Sequence, residues 1–215
     1  MANRLLDISI IREVFERFKI RNPNPNTELI AHNNYTFCIA VLLSAQATDK
    51  SVNKATHELF KIADSPEKML KLGIDHLKDY IKSIGLFNNK AKNIMLLSRK
   101  IIEEHNSQIP NSRDALENLQ GLGRKSANVI MNKLFGGDFI AVDTHVLRVS
   151  NRIGISKSKT PLSVESDLLQ LVPKEFHKNA SNWLVLYGRY TCQAKNPKCN
   201  ECFLNDICEY AKLRK

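Results

Sequence analysis

Long apolar runs are missing from this sequence. The two longest, Phe37 to Leu43 and Trp183 to Tyr187, fall far short of the roughly 18 residues a membrane-spanning helix needs and read as buried helix segments. Acid is scarce as well. Against 32 Lys and Arg stand 22 Asp and Glu in 215 residues, giving a formal +10 and a pI near 9.4. Such an imbalance favours an anionic partner, and nucleic acid, a membrane surface or the ribosome would each satisfy it. There is no low-complexity tract and no internal repeat. Strand patterning is nearly absent too: the best stretch, Phe139-Ile140-Ala141-Val142, can equally be an extended connector. The opening residues, Met1 to Asp7, turn polar too early for a secretory leader and carry acid where a transit peptide lacks it. An intracellular protein without disulfides is the expectation.

What the chain has is helical period. Ile11, Val14, Phe15 and Phe18 follow the i, i+3, i+4, i+7 template, with Arg12, Glu13, Glu16 and Arg17 opposite. Asp49 can cap a helix carrying Val52, Ala55 and Leu59. Ser65-Pro66-Glu67 has a capping serine and a first-turn proline, and Gly73 is its stop. Ile74 to Ile84 ends at Gly85; Ala91, Ile94, Ile101 and Ile102 mark another helix; Ser112 opens a short one stopping at Gln120-Gly121. The fold class is all-α. A hydrophobic share of 43% in this length suffices for a core divided between two small domains. Breaks at Asn22-Pro23-Asn24-Pro25-Asn26 and at Gly136-Gly137-Asp138 are the candidate boundaries.

Of five cysteines, four crowd the tail: Cys192, Cys199, Cys202 and Cys208, spaced C-x6-C-x2-C-x5-C. Thiolates are soft ligands, so four in one loop should hold a soft metal centre. Zinc held by four cysteines usually uses two C-x2-C knuckles. Only Cys199 and Cys202 form one here, and the wider arms suit a cubane cluster. Spacing alone leaves both open. Cys38, inside an apolar run, reads as a small buried hydrophobe.

The segment Leu119-Gln120-Gly121-Leu122-Gly123-Arg124-Lys125-Ser126 joins two helical patterns through a G-x-G turn. Gly121 and Gly123 can take positive φ, and a helix begins at once. Free N–H groups at a helix start make a phosphate seat, although a plain tight turn fits the same residues. Lys125 falls in the first turn, where a cation is disfavoured. That dipole, Arg124 beside it and any burial would lower its pKa and favour the free amine a nucleophile needs. A second phosphate-contacting cation is the alternative. Eighteen positions on, Asp143 precedes an apolar-periodic run. It is either a helix cap or a carboxylate facing Lys125 across a cleft. His145 pairs with no cysteine at metal spacing and is assigned no chemistry.

Taken together, the motifs resemble the endonuclease III family of helix-hairpin-helix DNA glycosylases. The likeness runs from about Asn22 to Tyr210. It includes Leu42-Leu-Ser-Ala-Gln-Ala-Thr-Asp49, Ser51-Val-Asn-Lys-Ala55, Ile84-Gly-Leu-Phe87, the hairpin, Ala141-Val-Asp-Thr-His145 and Gly188-Arg-Tyr-Thr-Cys192. Gln120, where many relatives carry proline, and Ser126, where threonine is usual, are departures. The resemblance implies a six-helix barrel domain over residues 27–137, with the hairpin at about 112–134. It implies an iron–sulfur domain from 1–26 and 138–215, whose loop 192–208 carries a 4Fe-4S cluster on the four tail cysteines. It further implies a bifunctional glycosylase and abasic-site lyase of base excision repair. Such an enzyme releases oxidised pyrimidines and cuts 3′ to the site by β-elimination through a lysine Schiff base. Lys125 matches the nucleophile and Asp143 the catalytic aspartate, while related adenine and mismatch glycosylases lack the lysine. Gln46 and Leu86 match positions that fill the gap left by a flipped base. Gly121, Gly123, Arg124, Lys195 and Lys198 would contact phosphate. Damaged double-stranded DNA is the implied partner of a monomer, cytoplasmic in a bacterium and nucleoid-associated through DNA.

Overall fold

The computed structural model describes residues 5–213. Met1 to Arg4 of the stretch weighed above as a leader, and the last two residues of the second expected domain, lie outside the described residues. Among those described there is no strand, so the chain is all-α. It divides into two compact units, one of residues 28–136 and one combining 1–27 with 137–215.

The contiguous unit holds α2 (Asn34–Leu43), α3 (Asp49–Ile62), α4 (Pro66–Leu72), α5 (Ile74–Ile81), α6 (Phe87–His105), α7 (Arg113–Glu117) and α8 (Arg124–Phe135). Six are of seven to nineteen residues, and α7 is a five-residue helix. α2 is buried from Tyr35 to Leu43. A helix apolar on all sides must be surrounded, and α3, α6 and α8 pack around it. Its start is secured by a capping box: Asn33 accepts from the Thr36 N–H while the Thr36 hydroxyl accepts from the Asn33 N–H. Cys38 is fully buried and burial pushes its thiol up to about 12, which suits an inert core residue.

Local sequence signals set most boundaries. Ser65 caps α4 with Pro66 at its first position, and Gly73, at φ +81°, ends α4 and begins α5. Ser112 caps α7. Three expected helix ends shift, the first being α7, which stops at Glu117 ahead of Gln120-Gly121. Thr48 rather than Asp49 is the cap of α3: its hydroxyl accepts from Ser51 N, while Asp49 opens the helix and complements its dipole. α5 ends at Ile81, and a turn in which Ile84 N donates to Ile81 O carries the buried face on to Ile84.

The discontinuous unit is built from α1 (Ile8–Arg21), α9 (Thr144–Ile153), α10 (Pro161–Leu171), α11 (His177–Tyr190) and α12 (Glu209–Lys212), with 3-10 turns at Lys174–Phe176 and Cys199–Glu201. The predicted stripe of α1 is its buried face. Phe15 stacks on Phe176 at 5.7 Å, and Phe18 stacks on Trp183 at 6.3 Å while meeting Tyr187 and Phe203 edge-on. Rings of this size bury large apolar areas, and the tilted pairs add to that burial. Arg17 then clamps the tail, donating to both carboxylate oxygens of Asp206 at 2.7 Å and to the Phe203 carbonyl. Phe139 to Val142 is a connector, not a strand. The Ala141 N–H donates to the Ser181 hydroxyl at 2.7 Å, so a side chain satisfies it instead of a ladder.

Candidate functional site

The turn between α7 and α8 rests on one glycine more than the other. Gly121 is left-handed at φ +85°, and a Cβ there would lie 2.9 Å from Asn93 and 3.0 Å from Leu42. Gly123 does not use the positive φ open to it. It is the N-cap of α8 at φ −108°, a conformation open to any residue, and a Cβ there would meet nothing within 4 Å. No side chain caps α8, so its first turn presents backbone N–H groups that have no intrahelical partner. Lys125 sits exposed in that first turn. Gly121→Ala is therefore expected to cost about 1–2 kcal/mol from the left-handed backbone alone, with the contact on Asn93 adding to it. Gly123→Ala should leave stability within about 0.5 kcal/mol. Paired thermal melts check both, and equal melting temperatures would remove Gly121 as the constrained residue.

Gln46 and Leu86 share a feature the sequence did not disclose. Both are non-glycine residues with left-handed backbone, at φ +54° and φ +60°, and both are exposed, Leu86 by 59% for a large apolar side chain. Left-handed backbone at bulky residues is uncommon and gathers at functional sites. Hydrogen-bonded to both neighbourhoods is Lys90, which sequence reasoning missed. It is only 5% exposed, and its ammonium donates to the carbonyls of Leu43 at 3.0 Å and Ala45 at 2.6 Å. Burial holds that ammonium below the ordinary lysine range. A signal existed: Lys90 stands one turn before Ile94 on the buried stripe of α6, with Leu97 and Ile101 beyond.

Asp143 is the N-cap of α9. Its Oδ1 accepts from the backbone N–H groups of His145 at 2.8 Å and Val146 at 2.9 Å. The capping reading is thus realised, and both cap bonds fall on a single oxygen. His145 shares its Nδ1 with the Arg148 guanidinium at 3.2 Å.

The four tail cysteines lie in the discontinuous unit. Cys192 follows α11, its N–H on the Tyr187 carbonyl. Cys199 opens a 3-10 turn, and Cys202 closes it with its N–H on the Cys199 carbonyl. Cys208 precedes α12. Two donors already point at sulfur, Arg152 toward Cys192 at 3.6 Å and Leu204 N–H toward Cys202 at 3.3 Å, and the Tyr187 hydroxyl shares a hydrogen bond with Cys202 at 2.5 Å in which either group can donate. Burial pushes the Cys192 and Cys208 thiols up; Cys199 adds to the first shift, Cys192 and Cys202 to the second. A cavity of about 380 Å³ opens beside them, lined by Pro197, Lys198, Cys199 and Asn205 among others. Arg152 binds the carbonyls of Gln193 and Ala194, which fixes the base of the first loop, while Lys195 and Lys198 stand exposed on it. Among the described residues no three His, Cys, Asp or Glu side chains are drawn in tightly enough for one metal ion. Four thiolates in one loop with only one C-x2-C pair, Cys199 and Cys202, are spaced for a cubane rather than for the two knuckles of a zinc site. The donor set fits a cluster.

Comparison with known proteins agrees. Residues 39–174 match the family described as HhH-GPD superfamily base excision DNA repair protein, and residues 192–208 match the iron–sulfur binding domain of endonuclease III. The fold and its loop thus define a helix-hairpin-helix DNA glycosylase of base excision repair. Endonuclease III of Haemophilus influenzae is 52% identical over 92% of this chain and 94% of its own length, and that of Escherichia coli 50% identical over the same shares. A structure described as a trapped endonuclease III–DNA covalent intermediate superposes with a TM-score of 0.92 at 39% identity, covering 98% of this chain and 99% of that one. The chain belongs to the endonuclease III family, and its cofactor is a 4Fe-4S cluster. No helix among the described residues is long and apolar enough to cross a membrane.

Purified protein is accordingly expected to be yellow-brown and to contain about four iron and four sulfide per chain. Stoichiometric zinc without sulfide would assign the loop to zinc instead.

Proposed function

We propose that this glycosylase is bifunctional: it releases oxidised pyrimidines from duplex DNA and then cuts the strand 3′ to the abasic site through Lys125. The observation that carries this reading is the place of Lys125, exposed in the first turn of α8 immediately after the Gly121–Gly123 turn. An amine there is delivered to whatever backbone the turn holds. Phosphate would sit on the N–H groups of the uncapped helix start and on Arg124, favoured by the positive end of the dipole. Lys195 and Lys198 would add contacts from the cysteine loop, whose four thiolates would ligate the cluster. The cluster, held by Cys192, Cys199, Cys202 and Cys208, would supply a rigid core for that loop.

A base within the stack shields its anomeric carbon, so the damaged nucleotide must first be extruded. Gln46 and Leu86 would enter the gap and offset part of the lost stacking. The Lys125 amine then attacks C1′, the bond from C1′ to the base nitrogen breaks, and its electron pair leaves with the base. With the amine proton lost and the sugar ring opened, C1′ and Nζ form an imine. The imine acidifies C2′; removal of a C2′ proton expels the 3′ phosphate oxygen, and water later releases the lysine. Asp143 would serve by drawing a proton from the amine or by stabilising positive charge on the sugar. The enzyme acts as a monomer, cytoplasmic and nucleoid-associated through its DNA affinity. Borohydride reduction tests the scheme directly. Incubated with duplexes carrying oxidised pyrimidines, the protein should become covalently attached to DNA, and base release without any trapped adduct would exclude the lyase route.

A further inference from the structure

Nothing in the scheme above uses Lys90, yet the molecule bears a cost to keep it. A cation taken out of water without a carboxylate is expensive, and among the described residues its ammonium meets only the Leu43 and Ala45 carbonyls. Those acceptors sit where α2 ends and its last carbonyls lack helical partners. A positive charge there also complements the helix dipole. Ala45 immediately precedes left-handed Gln46. On its other side, the backbone N–H of Lys90 donates to the carbonyl of left-handed Leu86 at 3.0 Å. One residue therefore holds both segments: its main chain fixes Leu86, and its side chain fixes the turn that presents Gln46. Neither segment needs such a tie for burial, because Gln46 and Leu86 are both exposed.

We propose that Lys90 is a positioning residue that joins Gln46 and Leu86 into one rigid wedge and so controls extrusion of the damaged base without touching DNA. The inference rests on the gap-filling reading of those two residues. Two strained, exposed side chains could each relax on their own, and only a shared brace makes them enter the duplex together. Losing the brace should therefore slow the step in which a stacked base is displaced. It should affect far less the step in which the amine meets a sugar that carries no base.

The test is a substrate split. Single-turnover base release from a duplex carrying thymine glycol is compared with borohydride trapping on a duplex carrying an abasic site. Lys90→Met keeps the apolar stem and removes the donors. Its loss on the paired lesion should exceed its loss on the abasic site by about tenfold or more. Leu86→Ala should give a split of the same sign, and adding it to Lys90→Met should cost less than it does in the wild type, as residues acting as one unit do. Equal losses on the two substrates, or additive effects, would overturn the proposal. If Leu86→Ala and Gln46→Ala show no split either, the gap-filling reading fails; if they show it and Lys90→Met does not, only the role of Lys90 fails. Should Lys90→Met not fold, Lys90→Arg decides, since a displaced guanidinium must still alter the turn. The same sign of split supports the brace, and its absence refutes it.

Discussion

Lys125→Gln is expected to abolish covalent trapping and strand cutting while leaving the protein folded and able to bind. Glutamine approximates the length of lysine but offers no nucleophilic nitrogen, because its amide lone pair is delocalised. The side chain is exposed in the first turn of α8, so the substitution removes no packing, and losing a cation from the positive end of a helix is mildly favourable. Stability should stay within about 0.5 kcal/mol. Affinity for an uncleavable abasic analogue should fall by no more than about tenfold, the equivalent of roughly 1.4 kcal/mol for one lost contact. Loss of the adduct with retained affinity would place the chemistry on this amine. Normal trapping in the variant would move it to another.

Asp143→Asn is expected to separate the cap that Asp143 forms from the catalytic role proposed for it. The cap uses Oδ1 alone, for the N–H groups of His145 and Val146. Asparagine presents the same oxygen and caps about equally well. What disappears is the negative charge, which the cap needs only weakly: a carboxylate near a helix start contributes about 0.3–1 kcal/mol. Melting and DNA binding should therefore stay close to wild type, while single-turnover base release slows by roughly a hundredfold or more. Asp143→Ala should show the complement, adding about 1 kcal/mol of lost cap stability to the same kinetic defect. Base release by the asparagine variant within a few-fold of wild type would leave Asp143 as a cap and nothing further.

The sequence spoke most clearly where a single residue type meets a local demand. Ser65-Pro66, Ser112 and Gly73 set helix ends because capping hydroxyls, a first-turn proline and a left-handed stop are decided by neighbours a few positions away. The stripe of α1 was equally plain, since burial imposes its period. Thr48 and Asp49 are both good caps, so sequence could not rank them, and the choice fell to the geometry of the α3 entry. Gly123 could not be decided, because glycine permits positive φ without requiring it. Lys90 and the backbone of Gln46 and Leu86 were illegible for another reason. The acceptors of Lys90 lie 47 and 45 residues away, and no local rule asks a glutamine or a leucine to be left-handed. At the site, the tail cysteines announced a soft metal by spacing alone, and the family comparison chose the cluster. The roles of Lys125 and Asp143 came from likeness and rest on the variants above.

The division of the discontinuous unit has a consequence for biosynthesis. α1 is made well before its partners: Phe15 and Phe18 find Phe176, Trp183, Tyr187 and Phe203 only after the intervening unit has been synthesised. Trp183 also closes the N-terminal segment by donating its indole N–H to Asn22, 161 positions earlier. At about 5–20 residues per second, the apolar face of α1 goes without its partners for on the order of ten seconds. Residues 28–136 are meanwhile a compact unit with a buried interior of their own. The contiguous unit can thus fold while the discontinuous one is still a tethered helix awaiting its partners, and all four tail cysteines follow the contiguous unit off the ribosome.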